Sequence, residues 1–82
     1  MTLKEATSMM LKRICVKYYE ANQWHIVPDK QIAKDLELTP AAFSRLKTGV
    51  TTPKAATWLK ITEKFKLVCG ELAAKTIIEQ IE

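Results

Sequence analysis

The dipeptide Thr39-Pro40 is the feature that most constrains how this sequence folds. A threonine hydroxyl accepts a hydrogen bond from a free amide at a helix start. Proline fits the first helical position because it lacks an amide that would be unsatisfied there. The dipeptide therefore predicts a short helix over residues 40–47, and Thr52-Pro53 repeats the same signal thirteen residues later.

Apolar residues at steps of three or four predict the other helices, because that spacing places them on one helix face. The pattern covers residues 2–21 and 70–81, and a shorter stretch over 29–37 begins with an acid at the positive helix end. The second Thr-Pro signal starts a helix over residues 53–65. With no strand pattern and no repeats, the sequence predicts an all-α fold, a compact bundle of about five helices in one domain over residues 1–82.

The connection between the first two helices carries Trp24 and Ile26, which we expect to fill the core beneath it. The two cysteines, Cys15 and Cys69, are too few for a disulfide framework or a metal site, and His25 is equally isolated. We therefore predict that both cysteines are small buried apolar residues and that the chain holds no metal and no cofactor.

Charge is distributed unevenly along the chain. Twelve of the 13 basic residues and six of the 9 acidic ones precede Glu71, so residues 1–70 carry a net charge of +6. A basic body suits a polyanionic partner, although an ordinary solvated surface explains the charge equally well. No apolar run approaches the ~20 residues of a membrane span, and no secretory segment is evident, so we expect a cytoplasmic protein without a membrane partner.

The segment from Asp29 to Lys47 has the pattern of a helix-turn-helix. A small residue, Ala33, stands where two helices crossing at a steep angle approach each other, and Thr39 caps the second of them. The remaining apolar positions fix the pair to the core; they are Ile32, Leu36, Leu38, Phe43 and Leu46. On the second helix of the pair the outward residues are Pro40, Ala41, Ser44, Arg45 and Lys47.

That outward face suits the major groove of DNA. Small residues at a helix start let the backbone approach base edges, and the Ala41 methyl can contact a thymine methyl, while Arg45 can donate two hydrogen bonds to guanine. Further polar residues nearby are expected to contact the phosphate backbone; they are Lys30, Gln31, Lys34, Thr39, Thr48, Thr51, Thr52 and Lys54.

The stretch IAKDLELTPAAFSRLKTG, followed at a short distance by TP, resembles the helix-turn-helix of the Cro and lambda-repressor-like family of phage and bacterial regulators. The resemblance implies base contacts from Pro40, Ala41 and Arg45, with Ser44 as a further candidate, and backbone contacts from the start of the second helix and from residues 47–52. Glu37 departs from the family, which usually has glycine at this turn position; a left-handed backbone there costs about 1 kcal/mol. Pro40, Ala41 and Ala42 also stand where the family often has Gln, Ser or Asn, so hydrogen-bonded readout depends heavily on Arg45.

The sequence thus predicts a small phage-type transcriptional repressor that acts as a cytoplasmic or nucleoid-associated homodimer on double-stranded DNA, with helix 70–81 as a candidate dimerisation element. The alternative is a protein-interaction module, such as an antitoxin or a phage-encoded inhibitor, that uses residues 72–81. An enzyme with a small-molecule substrate is not expected, because the sequence contains no catalytic set, paired acids or phosphate-binding loop.

Overall fold

The computed structural model describes residues 1–82 and contains five α-helices and no strands. They are α1 (Leu3–Ala21), α2 (Asp29–Asp35), α3 (Pro40–Lys47), α4 (Ala55–Cys69) and α5 (Glu71–Glu79). α1 packs against α2, α3 and α4, α2 packs against α3, and α5 packs against α4. The predicted all-α bundle is confirmed, and α2, residues 36–39 and α3 form its helix-turn-helix.

Helix ends follow local backbone chemistry. Thr2 and Glu5 form a reciprocal capping box at the start of α1, in which each side chain accepts a hydrogen bond from the other residue's backbone amide. α4 begins two residues later than predicted because Lys54 is extended, with ψ 161°, and it continues past residue 65 to end before Gly70, whose φ is 96°. α2 ends before Glu37 because that residue has a left-handed φ of 57°.

The core is built from every helix. Phe43 of α3 and Phe65 of α4 are its largest fully buried side chains. The complete buried apolar cluster is Ala6, Met10, Leu11, Ile14, Ile32, Ala33, Leu36, Phe43, Leu46, Ile61, Phe65, Ala74 and Ile77. No helix of the structure combines the length and the apolar character that crossing a membrane requires.

The connection between α1 and α2 corrects two predictions. Trp24 is 63% exposed and Ile26 is 84% exposed, so neither side chain fills the core. Gln23 and Trp24 have left-handed φ values of 55° and 66°, and the Trp24 ring meets Tyr19 edge to face at 5.2 Å on the surface. Of the apolar residues in this connection, Val27 is the one that packs against the core.

One further expectation about burial, that of the cysteines, is also corrected. Cys15 and Cys69 are half-buried at the edge of the core, where burial raises the pKa of both thiols. On α5, Ala74 and Ile77 are buried but Leu72 is 78% exposed. The apolar stripe of α5 therefore contributes only part of its width to the core.

Candidate nucleic-acid interface

The turn between α2 and α3 is closed by backbone hydrogen bonds. The Leu38 amide donates to the Ala33 carbonyl at 2.8 Å, and the Glu37 amide donates to the Lys34 carbonyl at 3.0 Å. The left-handed backbone of Glu37 changes the direction of the chain. The next residue, Leu38, packs against the core. Ala33 is fully buried, as expected for the point where the two helices approach each other.

α3 begins with the cap that the sequence predicts. The Thr39 hydroxyl accepts a hydrogen bond from the Ala42 amide at 3.1 Å, and Pro40 occupies the start of the helix. Phe43 and Leu46 point into the core and fix the rotation of α3 about its axis. That rotation leaves four side chains exposed on the outer face: Pro40, Ala41, Ser44 and Arg45.

Lys47 differs from the other members of the predicted outward set. Its side chain is only 27% exposed, and its Nζ donates to both carboxylate oxygens of Asp29, at 3.2 and 3.1 Å. This ion pair joins the last residue of α3 to the first residue of α2. Lys47 is therefore neutralised within the chain, and the phosphate contact predicted for it requires competition with Asp29.

The predicted phosphate contacts outside α3 have mixed surroundings. Lys30, Gln31 and Lys34 are exposed on α2, and Thr52 and Lys54 are exposed before α4. All five side chains are therefore accessible to a partner.

The threonines closer to α3 are less available. The Thr48 hydroxyl donates to the Ser44 carbonyl at 2.9 Å, so it caps the end of α3, and Thr51 is partly buried. The Thr48 oxygen can still accept a hydrogen bond, but its proton is already used.

Ion pairing separates the cations of this surface into free and neutralised ones. Lys47 is paired, whereas Lys30, Lys34, Arg45 and Lys54 form no ion pair within the chain. Free cations gain most from a phosphate because they lose no internal partner when they bind it. Arg45 is the only free cation on α3 itself.

Polar contacts near the surface link the motif to α1 and α4. The Tyr18 hydroxyl donates to Asp35 at 2.7 Å, and Lys64 lies 5.2 Å from the centroid of the Tyr18 ring. Burial is the main cause that raises the pKa of Tyr18, so the phenol stays protonated and keeps donating. Lys60 also pairs with Glu37 at 3.0 Å.

Sequence reasoning missed two features of this surface. It did not foresee the Asp29–Lys47 pair, because residues eighteen positions apart give no local signal. It also did not foresee that Lys12 and Arg13 of α1 line a cleft with Thr48, at the end of α3. The sequence does show two adjacent basic residues on the polar side of the first helix. Only the packing of α1 on α3 shows which residues lie opposite them.

The chain brings together no group of three or more His, Cys, Asp and Glu side chains able to hold a metal ion. His25 lies exposed in the connection between α1 and α2.

The geometry defines the class of protein as a small all-α bundle with an exposed helix-turn-helix face. Comparison of the chain with family models, with curated proteins and with solved structures found no match.

Proposed function

We propose that this chain is a sequence-specific double-stranded DNA-binding protein, a transcriptional repressor of the Cro and lambda-repressor-like type. The observation that carries the proposal is the exposed face of α3, where the small residues Pro40, Ala41 and Ser44 are followed by the unpaired Arg45. A bacterial host cell, and its nucleoid, is the setting that this proposal implies.

Insertion of α3 into the major groove explains why its first residues are short. A helix with its side chains is about 10–12 Å across, and the groove is about 12 Å wide. Ala41 and Ser44 add little bulk, so the start of α3 approaches base edges closely. Arg45 then donates two hydrogen bonds to one guanine, and the Ala41 methyl contacts a thymine.

Lysines without an ion-pair partner, before and after α3 in the chain, bind the phosphate backbone of the DNA. Lys30 and Lys34 of α2 and Lys54 before α4 each neutralise one phosphate in the proposed complex. Three phosphates per copy correspond to a slope of about −2.7 in a plot of log affinity against log salt. Thr39 and Thr52 add hydrogen bonds that position the duplex without reading its sequence.

Two copies bind one operator in this proposal. A two-fold axis places two recognition helices about 34 Å apart on successive turns of the duplex, and an occupied operator then excludes polymerase. The exposure of Leu72 and Ile78 on α5 supports pairing through that helix. In analytical ultracentrifugation, the wild type should form a dimer and the Leu72→Asp variant should remain a monomer. Leu59→Asp is the control and should form a dimer like the wild type. A wild type that is monomeric both free and on DNA would exclude the dimer.

The test of DNA binding is selection from a randomised duplex pool at near-physiological salt, followed by sequencing of the retained molecules. The expected result is enrichment of an inverted repeat whose half-sites each contain one guanine that depends on Arg45. Retention without enrichment would replace base readout with readout of DNA shape. No retention at any salt concentration would overturn the proposal.

Exposed apolar side chains favour one second candidate, the binding of a protein partner. On α5, within the residues 72–81 expected for this alternative, Leu72 is 78% exposed and Ile78 is 38% exposed, so apolar surface of that helix is available to a partner protein. This function, that of an antitoxin or an inhibitor, predicts no retention in the duplex selection.

A further inference from the structure

An open cleft of about 580 Å³ lies between the first half of α1 and the residues that follow α3. Its walls include Lys12 and Arg13 on one side and Thr48 and Gly49 on the other. Thr48 and Gly49 belong to residues 47–52, from which contacts to the DNA backbone are predicted. The cleft therefore adjoins the proposed DNA surface, although it lies outside the helix-turn-helix.

Contacts between α1 and the end of α3 hold the cleft in place. The Ser8 hydroxyl donates to the Lys47 carbonyl. A Cβ on Gly49, whose φ is 78°, would lie 3.9 Å from the Ser8 Cβ, so α1 and the turn are in close contact here. Lys12 follows Ser8 by one helical turn, and it lines the same cleft as Thr48.

The two cations of the cleft are available to a ligand. Lys12 and Arg13 are exposed, and neither forms an ion pair within the chain. Glu5 also lines the cleft, but its carboxylate accepts a hydrogen bond from the Thr2 amide at 3.0 Å and serves the helix start. Glu5 precedes Lys12 by seven residues, about 10 Å along the helix axis, so this carboxylate and the two cations lie at opposite ends of the α1 wall of the cleft.

We propose that this cleft binds a phosphate of the DNA backbone, so that α1 holds the duplex together with the helix-turn-helix. The inference rests on the proposed function and deepens it by adding a contact that is remote in sequence from residues 29–54. Lys12 and Arg13 donate to the phosphate oxygens, and α3 enters the groove from the neighbouring position. The contact positions the protein and adds affinity equally on all sequences.

The experiment compares Lys12→Ala and Arg13→Ala with wild type on a fixed duplex over a range of salt concentrations. Lys66→Ala is the matched control, because Lys66 is an exposed cation on α4 that forms no ion pair and lies outside the cleft. For each cleft variant we expect the salt slope to become shallower by about one for each phosphate that is no longer neutralised. The control should keep the wild-type slope.

A second readout follows the lysine directly. Acetylation of the intact protein, followed by mass spectrometry, should show that duplex DNA protects Lys12 and leaves Lys66 reactive. The proposal is overturned if both cleft variants keep the wild-type slope and Lys12 stays reactive on DNA, while the proposed function stands because the wild type still binds. Absence of binding by the wild type would overturn both.

Discussion

Arg45 is the free cation of α3, and it follows small side chains that leave the helix start uncovered. Because a two-pronged contact to guanine is specific for that base, we expect Arg45→Ala to cost about 1–3 kcal/mol on the selected site and to relax one base position. Binding titrations on the selected duplex and on single-base variants measure both effects.

Lys34→Ala is the control for this prediction, since removing a lysine that neutralises a phosphate weakens binding to all sequences alike. If the Arg45→Ala variant binds DNA with the affinity and the base preference of the wild type, α3 does not enter the groove.

Glu37 has a left-handed backbone with a φ of 57°, which costs a residue with a Cβ about 1–2 kcal/mol. Its side chain also pairs with Lys60, an exposed contact worth about 0.2–1 kcal/mol. We therefore expect Glu37→Gly to raise the free energy of unfolding by up to about 1 kcal/mol. Urea unfolding followed by circular dichroism measures it.

Glu37→Ala separates the two effects, because it loses the ion pair and keeps the Cβ. It should be no more stable than wild type, and equal stabilities of the glycine and alanine variants would rule out backbone strain as the cause.

The Asp29–Lys47 pair connects two elements, the start of α2 and the end of α3. Because both groups are partly exposed, solvent screens the pair, and we expect a coupling of about 0.2–1 kcal/mol in a double-mutant cycle of Asp29→Ala and Lys47→Ala. Stabilities of the two single variants and the double variant give the coupling, and strict additivity would show that the pair does not join the helices.

The Asp29–Lys47 pair should also affect DNA binding. Since Asp29 already neutralises the ammonium, Lys47→Ala should change the salt slope less than Lys34→Ala, whose lysine is free. An equal change for the two variants would show that Lys47 leaves Asp29 for a phosphate.

The free energy of unfolding of the whole molecule should fall at alkaline pH because of its two thiols. Burial raises the pKa of Cys15 and Cys69 in the folded chain, whereas an unfolded thiol ionises near its usual value of about 8.5. Above that pH the unfolded chain binds fewer protons than the folded chain, so stability falls as pH rises until the folded thiols also ionise. Tyr18 adds a loss of the same sign at higher pH.

Unfolding in urea at pH 8 and at pH 10 checks this dependence. The variant with both cysteines replaced by alanine should lose less stability over the same interval. An identical loss in wild type and variant would assign the alkaline dependence to other groups.

The local elements of this protein follow from short-range features of its sequence. Thr39-Pro40, the apolar steps and Gly70 act through hydrogen bonds and backbone angles within a few residues, so α1, α3 and the helix-turn-helix were predictable. The exposed face of α3 was predictable too, because helical spacing opposes it to the buried Phe43.

Contacts between residues far apart in the chain depend on how the helices pack. Packing of α1 on α3 brings Lys12 and Thr48 into the walls of one cleft, and packing of α2 on α3 pairs Asp29 with Lys47. It also left Trp24 exposed, whereas Val27 of the same connection packs against the core. Such contacts depend on how whole elements orient against one another, and sequence spacing carries no record of that orientation.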